Sequence, residues 1–275
     1  MNAFRRYIGS VSRSLALFFG AVLLLSAAEP SAETSAAFDR YVKVTEEQLK
    51  KRTGRDDFLW IEQHAKEKNL VWLGQTIVVP QKTLDQGKEI ELPGGLLQDW
   101  LGNIFLEGVT LDHLRDWLLN YGDYKYYFKQ QVIDSREIKR DGDHFDAFLR
   151  LSKTQFTGIV LNATMSAEYT AVDPLRSYIF SRSTHIGEVL HPNRKKTFDK
   201  EQPPEDEYGY LWRLNMYWRL EQADGGTYLE LELISLSRTP GNLSPGRFLN
   251  GYQNLPQELV TGMMEGIRTT YPRLR

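Results

Sequence analysis

Residues 208–238 read YGYLWRLNMYWRLEQADGGTYLELELISLSR. Tyr210, Trp212, Leu214, Met216 and Trp218 recur at every second position, and Leu229, Leu231 and Leu233 resume the alternation after Asp224-Gly225-Gly226. A period of two sustained this long belongs to extended chain with one apolar face. The Asp-Gly-Gly between the runs is a hairpin signal, because tight turns of this kind need positive φ. Two antiparallel strands, 208–221 and 227–238, are therefore predicted. On the opposite parity stand Arg213, Asn215, Tyr217 and Arg219, and beside them Tyr228, Glu230 and Glu232. These read as cross-strand pairs on a solvated face.

The same grammar extends upstream. From Gly95, apolar Leu96, Trp100, Ile104 and Leu106 are offset from Asp99, Asn103 and Glu107. Thr110 is placed to cap a helix carrying Leu111, Leu114, Trp117, Leu118 and Tyr121 on one face. Strands are predicted at 132–140 and 144–152, joined at Asp141-Gly142, then at 157–172 and 176–190. The chain closes with a helix from Pro256 to about Tyr271 with the stripe Leu259, Val260, Met263, Met264, Ile267. Strands well beyond the usual ~5–6 residues favour a bent sheet over a flat sandwich. The expectation is an α+β fold in which a curved antiparallel sheet wraps around a long C-terminal helix, leaving an apolar cavity between them. Gly262 and Gly266, four apart on that helix, either let it approach its neighbours closely or leave room for a ligand.

Ahead of Gly95 the pattern is looser. Residues 1–28 combine basic Arg5, Arg6 and Arg13, the apolar core Leu15–Leu25, and the small residues Ser26-Ala27-Ala28. This is the layout of a signal peptide, its core too short to span a bilayer as a stable helix. It implies export to the periplasm or outside, or an uncleaved membrane anchor. Residues 29–37 read as linker, and Phe38, Tyr41, Val42, Thr45 and Leu49 as a helical stripe ending at Gly54. The stretch 57–73 fits a short helix or extended chain. Strands are predicted at Thr76–Val79 and Lys88–Leu92, on either side of a turn at Gly87. Residues 29–94 together form an accessory segment on a main domain of 95–275.

Three stretches of that domain carry a family resemblance: Asn120-Tyr121-Gly122-Asp123-Tyr124-Lys125-Tyr126-Tyr127 leading into Val132-Ile133-Asp134-Ser135-Arg136, the strand Leu231–Leu236, and Leu255-Pro256-Gln257-Glu258-Leu259 opening the last helix. In pattern and order it resembles the START-like superfamily, with its helix-grip fold and its lipid-transfer, polyketide cyclase and coenzyme-binding members. The resemblance implies a hydrophobic small molecule or lipid as partner, with transient membrane contact.

Composition narrows the function classes. There is no cysteine, so thiol nucleophiles, disulfides and cysteine-ligated metals are excluded. The formal net charge is −2, and loss of residues 1–28, with three arginines and no acid, takes it to −5. A net-acidic chain without a basic run is a poor nucleic-acid binder. The five histidines lack metal-ligand spacing and no hydrolase motif is present, so neither metal nor cofactor is expected. On strand 176–190, Tyr178, Phe180, Arg182, Thr184, Ile186 and Glu188 share one parity. If that face is concave, Arg182 and Glu188 enter an apolar cavity and must find partners or a ligand's polar end. With Trp100, Trp212, Met216 and Met263 they form the candidate ligand-binding set. The leading function is carriage of a hydrophobic molecule. One alternative is a cyclase or hydrolase using Glu188 as base and Arg182 as oxyanion partner. Another is a protein-binding module with a filled core and an exposed aromatic patch at Tyr124–Phe128. The segment 191–207, with its lysines and Pro203-Pro204, is either a solvated loop or a cover for a cavity mouth.

Overall fold

The structure is a computed structural model that describes residues 29–54, 56–153, 158–192, 199–239 and 254–271. Residues 1–28, expected from the sequence to be a signal peptide, and residues 193–198 of the 191–207 segment lie outside the described residues.

Among the described residues ten strands form in chain order. β1 (Ile77–Pro80) and the small hairpin β2 (Leu84–Asp85) and β3 (Lys88–Glu89) precede β4 (Gly95–Glu107). The long strands follow: β5 (Val132–Asp141), β6 (His144–Lys153), β7 (Ile159–Asp173), β8 (Arg176–Glu188), β9 (Arg213–Ala223) and β10 (Gly226–Arg238). Eight of them make one antiparallel sheet in the order β1-β4-β10-β9-β8-β7-β6-β5. The β9–β10 turn closes on Ala223 opposite Gly226, with Asp224 at φ 52° and Gly225 at φ 80°. That doubly left-handed geometry is what the Asp-Gly pair supplies. The β5–β6 and β7–β8 pairs each carry two register shifts, which bend that half of the sheet.

On the concave side lie α3 (Leu111–Leu118), α4 (Tyr124–Tyr127) and the closing α5 (Leu255–Thr270). Thr110 caps α3 by accepting from His113 N–H. These helices and seven strands feed one apolar cluster, whose members include Ile104, Val132, Leu149, Ala163, Ile179, Trp218, Leu231 and Val260. This is the helix-grip arrangement.

Over β9 and β10 the convex side is not solvated, which corrects the sequence expectation for most of its polar row. Asn215, Tyr217, Arg219, Tyr228, Glu230 and Glu232 are all buried, and of the row Arg213 is exposed. The accessory segment covers them. α1 (Ala32–Arg52) packs Phe38, Tyr41 and Leu49 on Tyr217, Ile234 and Leu236. Phe58, Leu59 and Ile61, with Val71 of α2 (Ala65–Trp72), pack on Phe105 and Tyr228. Each such fully buried side chain contributes about 1.5–3 kcal/mol of apolar burial, enough to hold a second layer in place. α1 also begins earlier than its stripe suggests. Ser31 accepts from Thr34 N–H at 3.0 Å and caps a helix that takes in residues 32–37, read from sequence as linker. The predicted second strand of this region shortens to β3, paired with β2 across Gln86-Gly87, both at positive φ.

Candidate functional site

The concave face beneath α5 is where the chain brings most apolar side chains together. Leu229, Leu231, Leu233, Val260, Met264 and Ile267 have no measurable exposure, which leaves no space for a water-sized sphere beside them. A methyl group at Gly102 of β4 would meet Val260 Cγ1 at 2.6 Å and Met264 Cγ at 3.0 Å, so α5 rests directly on the strand backbone. A methyl at Gly266 would meet the carbonyl of Tyr127 at 2.9 Å, and one at Gly262 would overlap the Gln131 amide. The two helix glycines therefore serve close approach to the α4–β5 connection. At these positions side chains fill the hollow expected from the sequence. The filling is adaptable: Met165, Met216, Met263 and Met264, every methionine after Met1, lie in this cluster. Unbranched thioethers change rotamer at low cost.

Of the aromatic run, Tyr124, Tyr127 and Phe128 are buried and only Tyr126 is exposed, at 57%. Tyr127 stacks on Trp117 at 4.0 Å, and Tyr124 OH donates to the Leu118 carbonyl at 2.6 Å. The expected exposed aromatic patch is therefore part of the core, because α4 turns the ring-bearing face inward.

Two clefts border the grip at one end of the sheet. The larger, about 620 Å³, lies between α5 and the β5–β6 end, with Leu255 and Leu259 of the core on its floor. The smaller, about 240 Å³, is lined by Ile159, Val160, Leu190, Tyr208 and Tyr210 among others, and Ile159 and Tyr210 also touch the concave cluster. Ser152 lines the first and its register partner Val160 the second, so the clefts adjoin across the β6–β7 pair.

The sequence-derived site residues separate. Met216 and Met263 are in the concave core and Trp100 packs half-buried against it. Tyr178 and Phe180 meet with tilted rings at 4.4 Å on the convex side, where Phe180 meets Tyr217 edge-on at 4.9 Å. Trp212 also joins the convex cluster, because the chain bends there before β9 begins. Arg182 is exposed. The expected common face of Arg182 and Glu188 is broken by the register shift at Thr184: Ser183 pairs with Met165 and His185 with Thr164. The extra residue flips parity, so Glu188 is buried while Arg182 points out.

Glu188 is held by three backbone donors. Its Oε1 accepts from the N–H groups of Gly209 at 2.8 Å and Tyr210 at 3.0 Å, and its Oε2 from Tyr208 N–H at 2.9 Å. Burial pushes its carboxyl pKa up and these three donors pull it back. It anchors the turn that lines the smaller cleft, with three of its roughly four lone-pair sites taken by backbone N–H groups.

Sequence reasoning missed the buried charges under α1. Tyr41 OH donates to Asp99 Oδ2 at 2.8 Å and accepts from Thr83 N–H at 2.8 Å. Glu232 lies close enough for its charge and that of Asp99 to act on each other, and burial raises the Asp99 carboxyl to about 7. Trp60 N–H donates to Glu230 at 2.6 Å, and Arg52 lies 3.3 Å from the same carboxylate. Arg219 lies over the Phe58 ring at 4.1 Å, and burial lowers its guanidinium to about 10. The available signal was the apolar stripe of α1, which needed a partner face that the polar parity of β9 and β10 did not advertise. Among the described residues no cluster of three or more metal-ligating side chains occurs, and no helix is long and apolar enough to cross a membrane.

No protein-family model and no curated relative matches the chain. Solved structures do share its outline. A STAR-related lipid transfer protein fragment from Xanthomonas axonopodis is 14% identical, covering 70% of this chain and 97% of its own, with TM-score 0.42. The Zhui aromatase/cyclase from Streptomyces sp. R1128 is 11% identical over 66% of this chain and 97% of its own, with TM-score 0.46. A START superfamily protein from Mycobacterium smegmatis is 10% identical over 66% and 99%, with TM-score 0.42. These are likenesses of outline; the strand order and the closing α5 are described from this chain's own structure.

Proposed function

We propose that the protein binds a hydrophobic small molecule or lipid against the concave face of its sheet, beneath α5. The observation that carries this reading is that the apolar core is continuous with two surface clefts, through Leu255 and Leu259 on one side and Ile159 and Tyr210 on the other. Admission of a ligand then requires α5 to lift and the four methionines to repack, a modest change for flexible side chains. Burial at roughly 25 cal/mol per Å² makes a few hundred Å² of acyl chain sufficient for micromolar binding. The outer layer stiffens the sheet while α5 moves.

With the signal-like residues 1–28, this reading places the carrier outside the cytoplasm. A cyclase or hydrolase mechanism through Glu188 and Arg182 gains no support, since one is occupied by backbone donors and the other faces away. The close-packed centre favours a second reading, a module that binds a protein and holds no ligand. Native mass spectrometry of the purified protein, before and after incubation with long-chain acyl compounds, separates the two. A one-to-one adduct supports the carrier; a ligand-free protein that takes up none supports the module.

A further inference from the structure

Glu188 is a buried carboxylate without a counter-cation. It is 4% exposed, and backbone N–H groups donate to both of its oxygens, an arrangement that favours the ionised form. Among the described residues no cationic side chain pairs with it. Its register partner on β7 is Leu161, so its side chain lies on the concave side with Leu161 and Ile159. Glu207 accepts from Glu188 N–H at 3.0 Å and adds a second acid at the same strand end, while His185, whose charge acts on Glu207, is engaged by Glu201 at 2.7 Å. Buried charges are ordinarily paired, so an uncompensated one beside an opening points to a ligand of opposite sign.

Two of the residues that donate to Glu188 carry the aromatic wall of the smaller cleft. Tyr208 and Tyr210 stack with ring centroids 5.3 Å apart, and both line the opening, where Tyr208 stays 58% exposed. Apart from Glu188, every lining residue is uncharged. An aromatic face attracts a cation through its quadrupole. A carboxylate set in the low-dielectric wall adds to that attraction through its field, without touching the ligand. An anion meets the opposite field, and a neutral head gains neither attraction.

We infer that the smaller cleft receives the ammonium end of an amphiphile, held on the Tyr208 ring in the field of Glu188, with its chain running past Ile159 into the concave core. The inference rests on the hydrophobic-ligand reading and names the ligand's polar end. The test measures binding of decyltrimethylammonium, decanoate, decan-1-ol and tetramethylammonium, below micelle formation, to the full chain and to Tyr208→Leu, Tyr208→Phe and Glu188→Gln. The wild type is expected to bind decyltrimethylammonium about tenfold more tightly than decanoate, with decan-1-ol between them and tetramethylammonium weakest. Tyr208→Leu is expected to lose about two- to fivefold of the preference for the cation over the alcohol, and Tyr208→Phe to keep it. Tyr208 is largely exposed, so its variants test the site whatever Glu188→Gln does to the turn; in folded Glu188→Gln the discrimination between cation and anion should vanish. Equal binding of the three chain-bearing compounds, or an unchanged preference in Tyr208→Leu, would overturn the head-group assignment and leave the carrier reading standing. Tetramethylammonium bound as tightly as the decyl compound would overturn it in favour of a site for a small ammonium ion. Binding of none would remove both.

Discussion

Asp99 and Glu232 are neighbouring acids buried in the space between the sheet and α1, both less than a tenth exposed, and the charge of one acts on the other. Asp99 sits on β4 and Glu232 on β10, neighbouring strands of the sheet, and Tyr41 of α1 donates to the first of them. Two carboxylates this close cannot both ionise in a dry layer, so the pair holds a proton that separate surface acids would have lost.

A pH dependence of stability follows. Burial raises the Asp99 carboxyl from 3.8 to about 7, and burial followed by the Asp99 charge raises Glu232 well above its ordinary value. When a folded-state acid pKa is raised, the unfolded chain loses its proton first as pH climbs. Stability is then highest below about pH 4 for these groups and declines up to about pH 7, by an amount on the order of a few kcal/mol. Thermal melts across pH 4.5 to 7.5 check this. Asp99→Asn should flatten the decline, and a wild-type profile that rises over that interval would contradict it.

Glu188 is expected to act as an anchor for the 208–210 turn. Glu188→Ala leaves three backbone N–H groups without their acceptor and should cost about 2–4 kcal/mol, with Glu188→Gln costing less. Hydrogen exchange should speed up at Tyr208, Gly209 and Tyr210 in the alanine variant. Unchanged exchange there would mean that the carboxylate is not what holds the turn.

The two glycines of α5 should respond with opposite sign. Alanine at 266 drives its methyl into the Tyr127 carbonyl at 2.9 Å and should destabilise by about 1–3 kcal/mol despite better helix propensity. Alanine at 262 meets only the end of the Gln131 side chain, which can swing away, so the propensity gain of about 1 kcal/mol should be largely kept. Urea midpoints of the two variants decide it, and equal losses in both would show that α5 does not lie as close to α4 as described.

Much of this architecture is legible in the sequence because it rests on short-range signals. Asp141-Gly142 and Asp224-Gly225 mark their turns, and the alternation of Leu229, Leu231 and Leu233 names the concave face correctly. Pro256 and the Leu259–Ile267 stripe place α5 within a residue of its observed start. The failures share a cause. One extra residue at Thr184 inverts the parity of Arg182 relative to Glu188, and a bend at Trp212 sends its ring to the other layer; neither position carries a glycine or proline to announce it. The polar row of β9 and β10 reads as solvent-facing because burial by a helix more than 160 residues earlier in the chain leaves no local mark, as the bond from Arg219 to the Leu49 carbonyl illustrates.

A hydrophobic ligand beneath α5 requires that helix to move. Gly102 and Val260 are in contact, and the chain has no cysteine, so Gly102→Cys with Val260→Cys provides a single reversible clamp between β4 and α5. Binding of a fluorescent long-chain acyl probe, followed by quenching of the core Trp218, should be saturable in the reduced double variant, lost on oxidation and restored by reductant. Equal binding in the clamped and reduced forms, or no binding in either, would contradict a ligand held beneath the helix.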